Sequence, residues 1–390
     1  MIFAEYWHGV NLPAIVPYIA IAGIMGVTLA LLPMVVWTER VALALMQDRV
    51  GPNRVGPRGL LQAVADVAKL FLKEDIQPKK VDIFLYYLAP FLMMMIALCA
   101  GAALPIQTLD FRHPDGTVFH VTLTPGNINV GLLYILAMSS LGVYALVLAG
   151  YSSNNKYSML GALRASAQLI SYELSMGMAL LCVVLLAGSL NLGHIVQAQN
   201  QLPFGIAKMP EFLRGSFLSW YWLQSLLVPV VIYTISMIAE TNRTPFDLPE
   251  AENELVGGFH TEYSSMKFAT FFAGEYVNML TVSGLNAVIF WGGWLPPLNC
   301  LPFTLVPGFI WFLLKVLTGI FFYIWLRATL PRLRYDALMS IGWKRLLPLG
   351  LVWLFLLAGY SLIRDSGFHL LPNRTTAQLV LPSAERRQSP

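Results

Sequence analysis

The sequence predicts an all-α, polytopic membrane protein of about eight transmembrane helices, with an amphipathic helix at the membrane interface. Three observations predict it. The chain of 390 residues is 57% hydrophobic and 12% charged, about half the charge of a soluble domain. Its mean hydropathy is +0.63. Apolar runs recur along its length, each close to the ~20 residues needed to cross the hydrocarbon core.

The first segment, residues 1–37, carries a span from Pro13 to Trp37. It lacks a basic leader and a small-residue cleavage site and is too long for a signal peptide, so it reads as a permanent helix. Residues 38–82 form an inner loop. There Gly51-Pro52-Asn53 and Gly56-Pro57 mark turns. Leu60 to Lys73 then has helical periodicity, with Gln62, Asp66, Lys69 and Lys73 on one stripe. Leu61, Val64, Ala65, Ala68, Phe71 and Leu72 fall largely on the other, the pattern of a helix lying at the interface. Residues 83–239 hold the next four spans, Phe84 to Pro105, Val130 to Gly150, Leu163 to Gly188 and Trp220 to Ala239. Between the first two of these, Phe111 to Leu123 alternates around Pro114-Asp115-Gly116 and reads as a small outer hairpin. Residues 240–262 are an acidic inner loop. Residues 263–365 supply spans from Tyr263 to Phe290, Val306 to Leu326 and Leu346 to Ile363, and 366–390 form a polar outer tail.

Charge sets the orientation. With the N-terminus outside, the inner loops and their immediate flanks hold 17 of the 25 basic residues, the outer segments 7, and Lys315 lies within a span. The positive-inside rule favours this arrangement, and the net charge of +4 needs no nucleic acid to account for it. Cys99, Cys182 and Cys300 are far apart and have no metal-ligand spacing. They read as small buried hydrophobes, no metal site is expected, and any redox cofactor belongs to another chain.

Two constellations carry chemistry. Glu173, Glu275 and Lys315 lie inside spans, where ionisable groups are costly and usually functional. Glu173 is about ten residues into its span, roughly 15 Å deep at the helical rise. Structural ion pairs would explain the three residues, but carboxylates outnumber the base, which favours a proton relay. The inner loop from Ala239 to Tyr263 contains Glu240, Asp247, Glu250, Glu252, Glu254 and Glu262, with Arg243 its only cation. So many carboxylates titrate as a coupled set. Pro245, Pro249, Gly257 and Gly258 shape the loop, and Phe246, Leu248, Leu255 and Val256 give it surface to bury.

Several motifs resemble those of one family. They are Glu39-Arg40, Gln47-Asp48-Arg49, Gly51 to Pro57, Gly59 to Gln62, Ala65-Asp66 and Lys69 to Glu74 in the first loop. Ser171-Tyr172-Glu173, the Ala239–Tyr263 loop, Ala273 to Tyr276 and Trp325 to Arg332 continue the series. Over roughly Glu39 to Pro348 they are similar to the H subunit of respiratory complex I, the NADH:quinone oxidoreductase, whose mitochondrial counterpart is NADH dehydrogenase subunit 1. The resemblance implies the membrane half of a quinone chamber below the peripheral arm, with the quinone tail entering between helices one and six and the amphipathic helix. By matching motif, Glu39, Arg40, Arg49, Asp66, Glu74, Arg243, Phe246, Asp247 and Tyr263 would belong to the chamber. Glu240, Glu250, Glu252, Glu254, Glu262, Glu275, Glu173 and Lys315 would form the proton path.

The resemblance further implies quinone as substrate, ubiquinone by expectation, and no cofactor on this chain, with FMN and iron–sulfur clusters in partner subunits. Those partners are peripheral-arm iron–sulfur and quinone-site subunits, small membrane subunits, antiporter-like subunits and lipid. The polar tail and outer hairpin point to a bacterial inner membrane rather than a mitochondrial one. Val41, Arg58, Lys267 and Asp336-Ala337 depart from the common family pattern, and none of them removes a carboxylate of the path. Two rivals share some features. A secondary cation/proton transporter would also use mid-membrane carboxylates but places its chemistry in broken helices. The homologous anchor of membrane-bound hydrogenases shares the fold without reducing quinone.

Overall fold

The computed structural model describes residues 12–106, 108–112, 118–122, 128–201, 215–225, 227–247 and 256–365. Glu250, Glu252 and Glu254 of the acidic loop and the polar tail lie outside them. Among the described residues the regular structure is helical apart from one hairpin, β1 (Thr108–Arg112) antiparallel to β2 (Val118–Thr122), with Asp110 opposite His120. Pairing thus begins three residues before the expected hairpin.

α1 (Leu12–Met46) has 35 residues, about 52 Å of helix against a hydrocarbon core of about 30 Å. Glu39 and Arg40 lie in the last turns of this helix. α2 (Gln62–Leu72) is the expected interfacial helix. Its Ala63 faces the protein, while Val64, Val67, Phe71 and Leu72 recur at helical spacing on an exposed side. α3 (Ile83–Ala102) and α4 (Gly131–Ser152) pack tightly together. α5 (Lys156–Ala187) starts seven residues before the expected span, because Asn155 caps it by accepting from the Tyr157 amide at 3.0 Å. Gly188, at φ 68°, supplies the left-handed residue that ends it.

α6 (Leu192–Gln199) and α7 (Tyr221–Gln224) are short outer helices, and α8 (Val228–Glu240) is the helix that leads to the acidic loop. The single span expected from Trp220 to Ala239 is therefore broken. Pro229 cannot donate to the helical ladder, and Leu227 just before α8 has φ 66°. α9 (Ser265–Phe290), α10 (Gly308–Thr329), α11 (Tyr335–Ile341) and α12 (Leu347–Asp365) complete the chain, with one π turn joining the last two.

Among the described residues, six stretches are long and apolar enough to cross a membrane: the 22–46 part of α1, α3, α4, α5, α10 and the α11–α12 run. The expected count of about eight is not reached by that measure. α8 has 13 residues, and α9, although 26 residues long, carries Lys267, Glu275, Asn278 and Asn286. Those polar side chains are what make α9 the site helix.

α5 is the centre of one half, packed on α4, α8 and α12, and α9 is the centre of the other, packed on α3 and α10. Every long loop assigned to the inner side meets at one end of the bundle. Ser264 Oγ accepts from the Ile76 amide at 2.9 Å, Ser265 Oγ donates to Leu70 O at 2.9 Å, and the Leu333 amide donates to Pro245 O at 3.0 Å.

Candidate quinone-chamber wall and carboxylate cavity

Two polar clusters lie side by side toward the end of the bundle where the lysine- and arginine-rich loops gather. The first is a cavity of about 40 Å³ between α3, α4, α5, α8 and α9. Ser139, Glu173, Glu240, Asn242, Glu275 and Asn278 line it, with Met93, Ile96 and Leu169 supplying apolar wall. A space of this size and polarity suits roughly three waters. Glu173 accepts from the Ser140 hydroxyl. Glu240 is buried, and neither of its oxygens makes a hydrogen bond of normal geometry among the described residues. Three carboxylates from α5, α8 and α9, spread over 103 residues of sequence (173 to 275), thus face one small chamber.

The second cluster is centred on Glu39 of α1, which is 5% exposed. Its Oε2 accepts from the Tyr276 hydroxyl at 2.6 Å, and its Oε1 pairs with Arg327 and, at 3.6 Å, with Arg243 Nη1. The Arg243 guanidinium lies 4.3 Å from the Tyr276 ring centroid, a cation–π contact. Burial opposes the Arg243 charge, but Tyr276, Glu39 and Glu275 hold its pKa above the ordinary arginine value. Three residues before Arg243, Glu240 faces the cavity, so one short segment joins the two clusters.

The remaining expected residues are distributed around these two. Arg40 pairs with Asp66, which also accepts from Gln62 Nε2 at 3.2 Å, tying α1 to α2. Arg49 and Glu74 are exposed. Asp247 pairs with Arg332 at 2.9 Å, and Phe246 packs 5.5 Å from the Tyr172 ring. Tyr263 stacks on Tyr86 at 4.3 Å, with its hydroxyl 3.1 Å from Ser152 Oγ. Glu262 accepts from Asn155 Nδ2 at 2.7 Å. These last contacts fasten the end of the acidic loop to the inner ends of α3, α4 and α5, apart from the carboxylate cavity.

Lys315 is also apart from the cavity. Its Nζ donates to Gly293 O and Leu295 O, each at 2.7 Å, and lies 4.0 Å from the Trp220 ring centroid. It clasps the turn that follows α9. Beside the cavity-lining Ser139, Asn242 and Asn278, four further residues in or next to the clusters were missing from the expected site: Gln168, Tyr276, Arg327 and Arg332. The last three stand inside the quoted motifs, and Gln168 is the amide that interrupts an apolar run five residues before Glu173.

The family model described as NADH dehydrogenase matches residues 19–358. The chain belongs to that family. Among its relatives, the NADH-quinone oxidoreductase H subunit of Rhodospirillum centenum is 46% identical over 362 residues, 93% of this chain and 98% of the relative. The H subunit from Ehrlichia chaffeensis is 46% identical over 332 residues, 85% of this chain and 86% of the relative. That of Wolbachia pipientis is 47% identical over 325 residues, 83% and 90% of the two chains. As a member of this family, the chain is a multi-pass membrane component of an NADH-quinone oxidoreductase, and the other subunits of that complex are its partners. The family match ends at residue 358, just short of the end of α12 at Asp365.

Proposed function

We propose that this chain forms the membrane wall of a quinone chamber and couples quinone reduction to proton movement through its buried carboxylates. The observation that carries this reading is the junction at Arg243. It pairs with Glu39 beside the interfacial helix, and three residues before it Glu240 lines one cavity with Glu173 and Glu275. A change of charge beside Glu39 and Arg243 alters the field at Glu275, and through it the proton occupancy of the shared cavity. Electrons reach the quinone from iron–sulfur clusters and FMN held by partner subunits, and ubiquinone is the expected substrate. The chamber residues are Glu39, Arg40, Arg49, Asp66, Glu74, Arg243, Phe246, Asp247 and Tyr263. The proton path runs through Glu240, Glu275 and Glu173, and Glu250, Glu252, Glu254 and Glu262 of the acidic loop feed it.

Lys315, clasped by backbone carbonyls of the turn after α9, is assigned to holding that turn rather than to the path. The chain sits in a bacterial inner membrane with its N-terminus outside.

The test uses the assembled enzyme in its native membrane. Glu173→Gln and Glu275→Gln are expected to lower quinone reduction and proton pumping together, by about tenfold or more if a positioned proton-transfer group is lost. Wild-type rates of both in both variants would remove the relay. A quinone-site photoaffinity probe should label this chain, and labelling confined to other subunits would remove the chamber.

A further inference from the structure

Gln168 sits on α5 five residues before Glu173 and is 0% exposed. Its Nε2 donates to Ala239 O at 2.7 Å and to Phe246 O at 2.9 Å, with Asn242 Oδ1 at 3.3 Å. A primary amide has two donor hydrogens, so the two short bonds use both and the third contact is shared. The Oε1 atom has no hydrogen-bond partner among the described residues. Leaving a buried acceptor unmatched is unfavourable, so only the donor half of this side chain accounts for an amide here.

The two carbonyls stand on either side of the segment from Glu240 to Pro245. That segment turns sharply, with Asn242 at φ 51°, and sends its two charged side chains in different directions. Glu240 enters the cavity with Glu173, and Arg243 reaches Glu39 and Tyr276. A helix interior is rigid, so Gln168 sets the place of both ends of the segment relative to Glu173. We propose that Gln168 is a positioning residue, a latch that fixes Arg243 and Glu240 against Glu173 so that charge beside Arg243 is felt at the cavity. This rests on the chamber-and-relay reading above and adds to it the part that keeps the two clusters in register.

The experiment takes the assembled enzyme with Gln168→Met and Gln168→Glu, which keep the length of the side chain and remove the neutral amide donor. NADH oxidation by a hydrophilic acceptor at the flavin measures assembly and is expected to be unchanged. Amide exchange across residues 240–247 should quicken about tenfold, since the segment loses its tie to a core helix. Quinone turnover should fall about tenfold, a loss of the kind that small misplacements produce. In an Arg243→Lys background the further loss from Gln168→Met should be under about twofold, because two residues acting through one contact are not additive.

Unchanged exchange would overturn the latch. Equal fold losses in the two backgrounds would overturn its action through Arg243, and failure of both variants to assemble would assign Gln168 to folding alone. The chamber-and-relay reading fails separately, through wild-type behaviour of Glu173→Gln and Glu275→Gln in the same membranes.

Discussion

Glu39 shows how a single carboxylate is stabilised by several weak claims at once. It is almost fully buried, and its two oxygens are shared among Tyr276, Arg243 and Arg327. The two guanidiniums are unequal. The Arg243 side chain is 11% exposed and that of Arg327 is 42% exposed, so solvent screens the second pair and it contributes at most about 1 kcal/mol. Glu39→Gln should instead cost about 3–5 kcal/mol, since it removes the carboxylate with which the buried Arg243 is ion-paired. Thermal inactivation of the assembled enzyme should therefore move sharply for Glu39→Gln and only slightly for Arg327→Gln. Comparable shifts would contradict this ranking. Much of this cluster was legible in the sequence as a list of charges. Tyr276 was not, because a tyrosine in a span is an ordinary apolar choice until a carboxylate from α1 is placed beside its hydroxyl. Gln168 escaped for a related reason: a neutral amide carries no charge to flag it, and its partners are carbonyls more than 70 positions away.

At the scale of elements, close approaches decide where the acidic loop returns to the bundle. A Cβ at Gly161 of α5 would lie 2.7 Å from Gly258 Cα and 3.0 Å from the Phe259 amide nitrogen. These are backbone atoms with no rotamer to yield. The turn at Gly258–His260 consequently seats directly on α5, where Ser158 Oγ donates to Phe259 O at 3.1 Å. Gly161→Ala should push the turn outward and destabilise the protein by about 1–3 kcal/mol, as overpacking does. The loss would be read as a lower thermal midpoint of the purified complex. An unchanged midpoint would mean that the turn adjusts without cost. Hydrophobic run length anticipated α3, α4 and α10 closely, and helical periodicity anticipated α2. It misjudged α5, where the capping asparagine rather than the apolar run sets the start. It also joined α7 to α8 across the bend at Leu227, because the composition of that run is apolar on both sides of the break.

The whole molecule separates its two ends. The inner end gathers the loops, the paired charges and the interfacial helix. The outer end holds the β1–β2 hairpin, the stacked pair Trp222–Trp291, whose ring centroids are 5.7 Å apart, and the turns before α10. Cys300 lies in those turns and is partly exposed. A membrane-impermeant thiol reagent should label it in intact spheroplasts. Lys79→Cys, made in a Cys300→Ser background, should react only after permeabilisation. The reverse pattern would invert the topology. The gathering of lysine- and arginine-rich loops was readable in the sequence, whereas the meeting of Glu173, Glu240 and Glu275 depends on how α5, α8 and α9 pack and has no local signature. The pair between Glu39 and Arg327 bridges 288 positions, and this bears on how the protein is made. Glu39 emerges from the ribosome with the first helix, but Arg243, Tyr276 and Arg327 follow only when most of the chain has been synthesised. A newborn chain stalled before α10 holds an incompletely neutralised carboxylate at the edge of the bilayer. Completion of that charge cluster is therefore a late event in the synthesis of the chain.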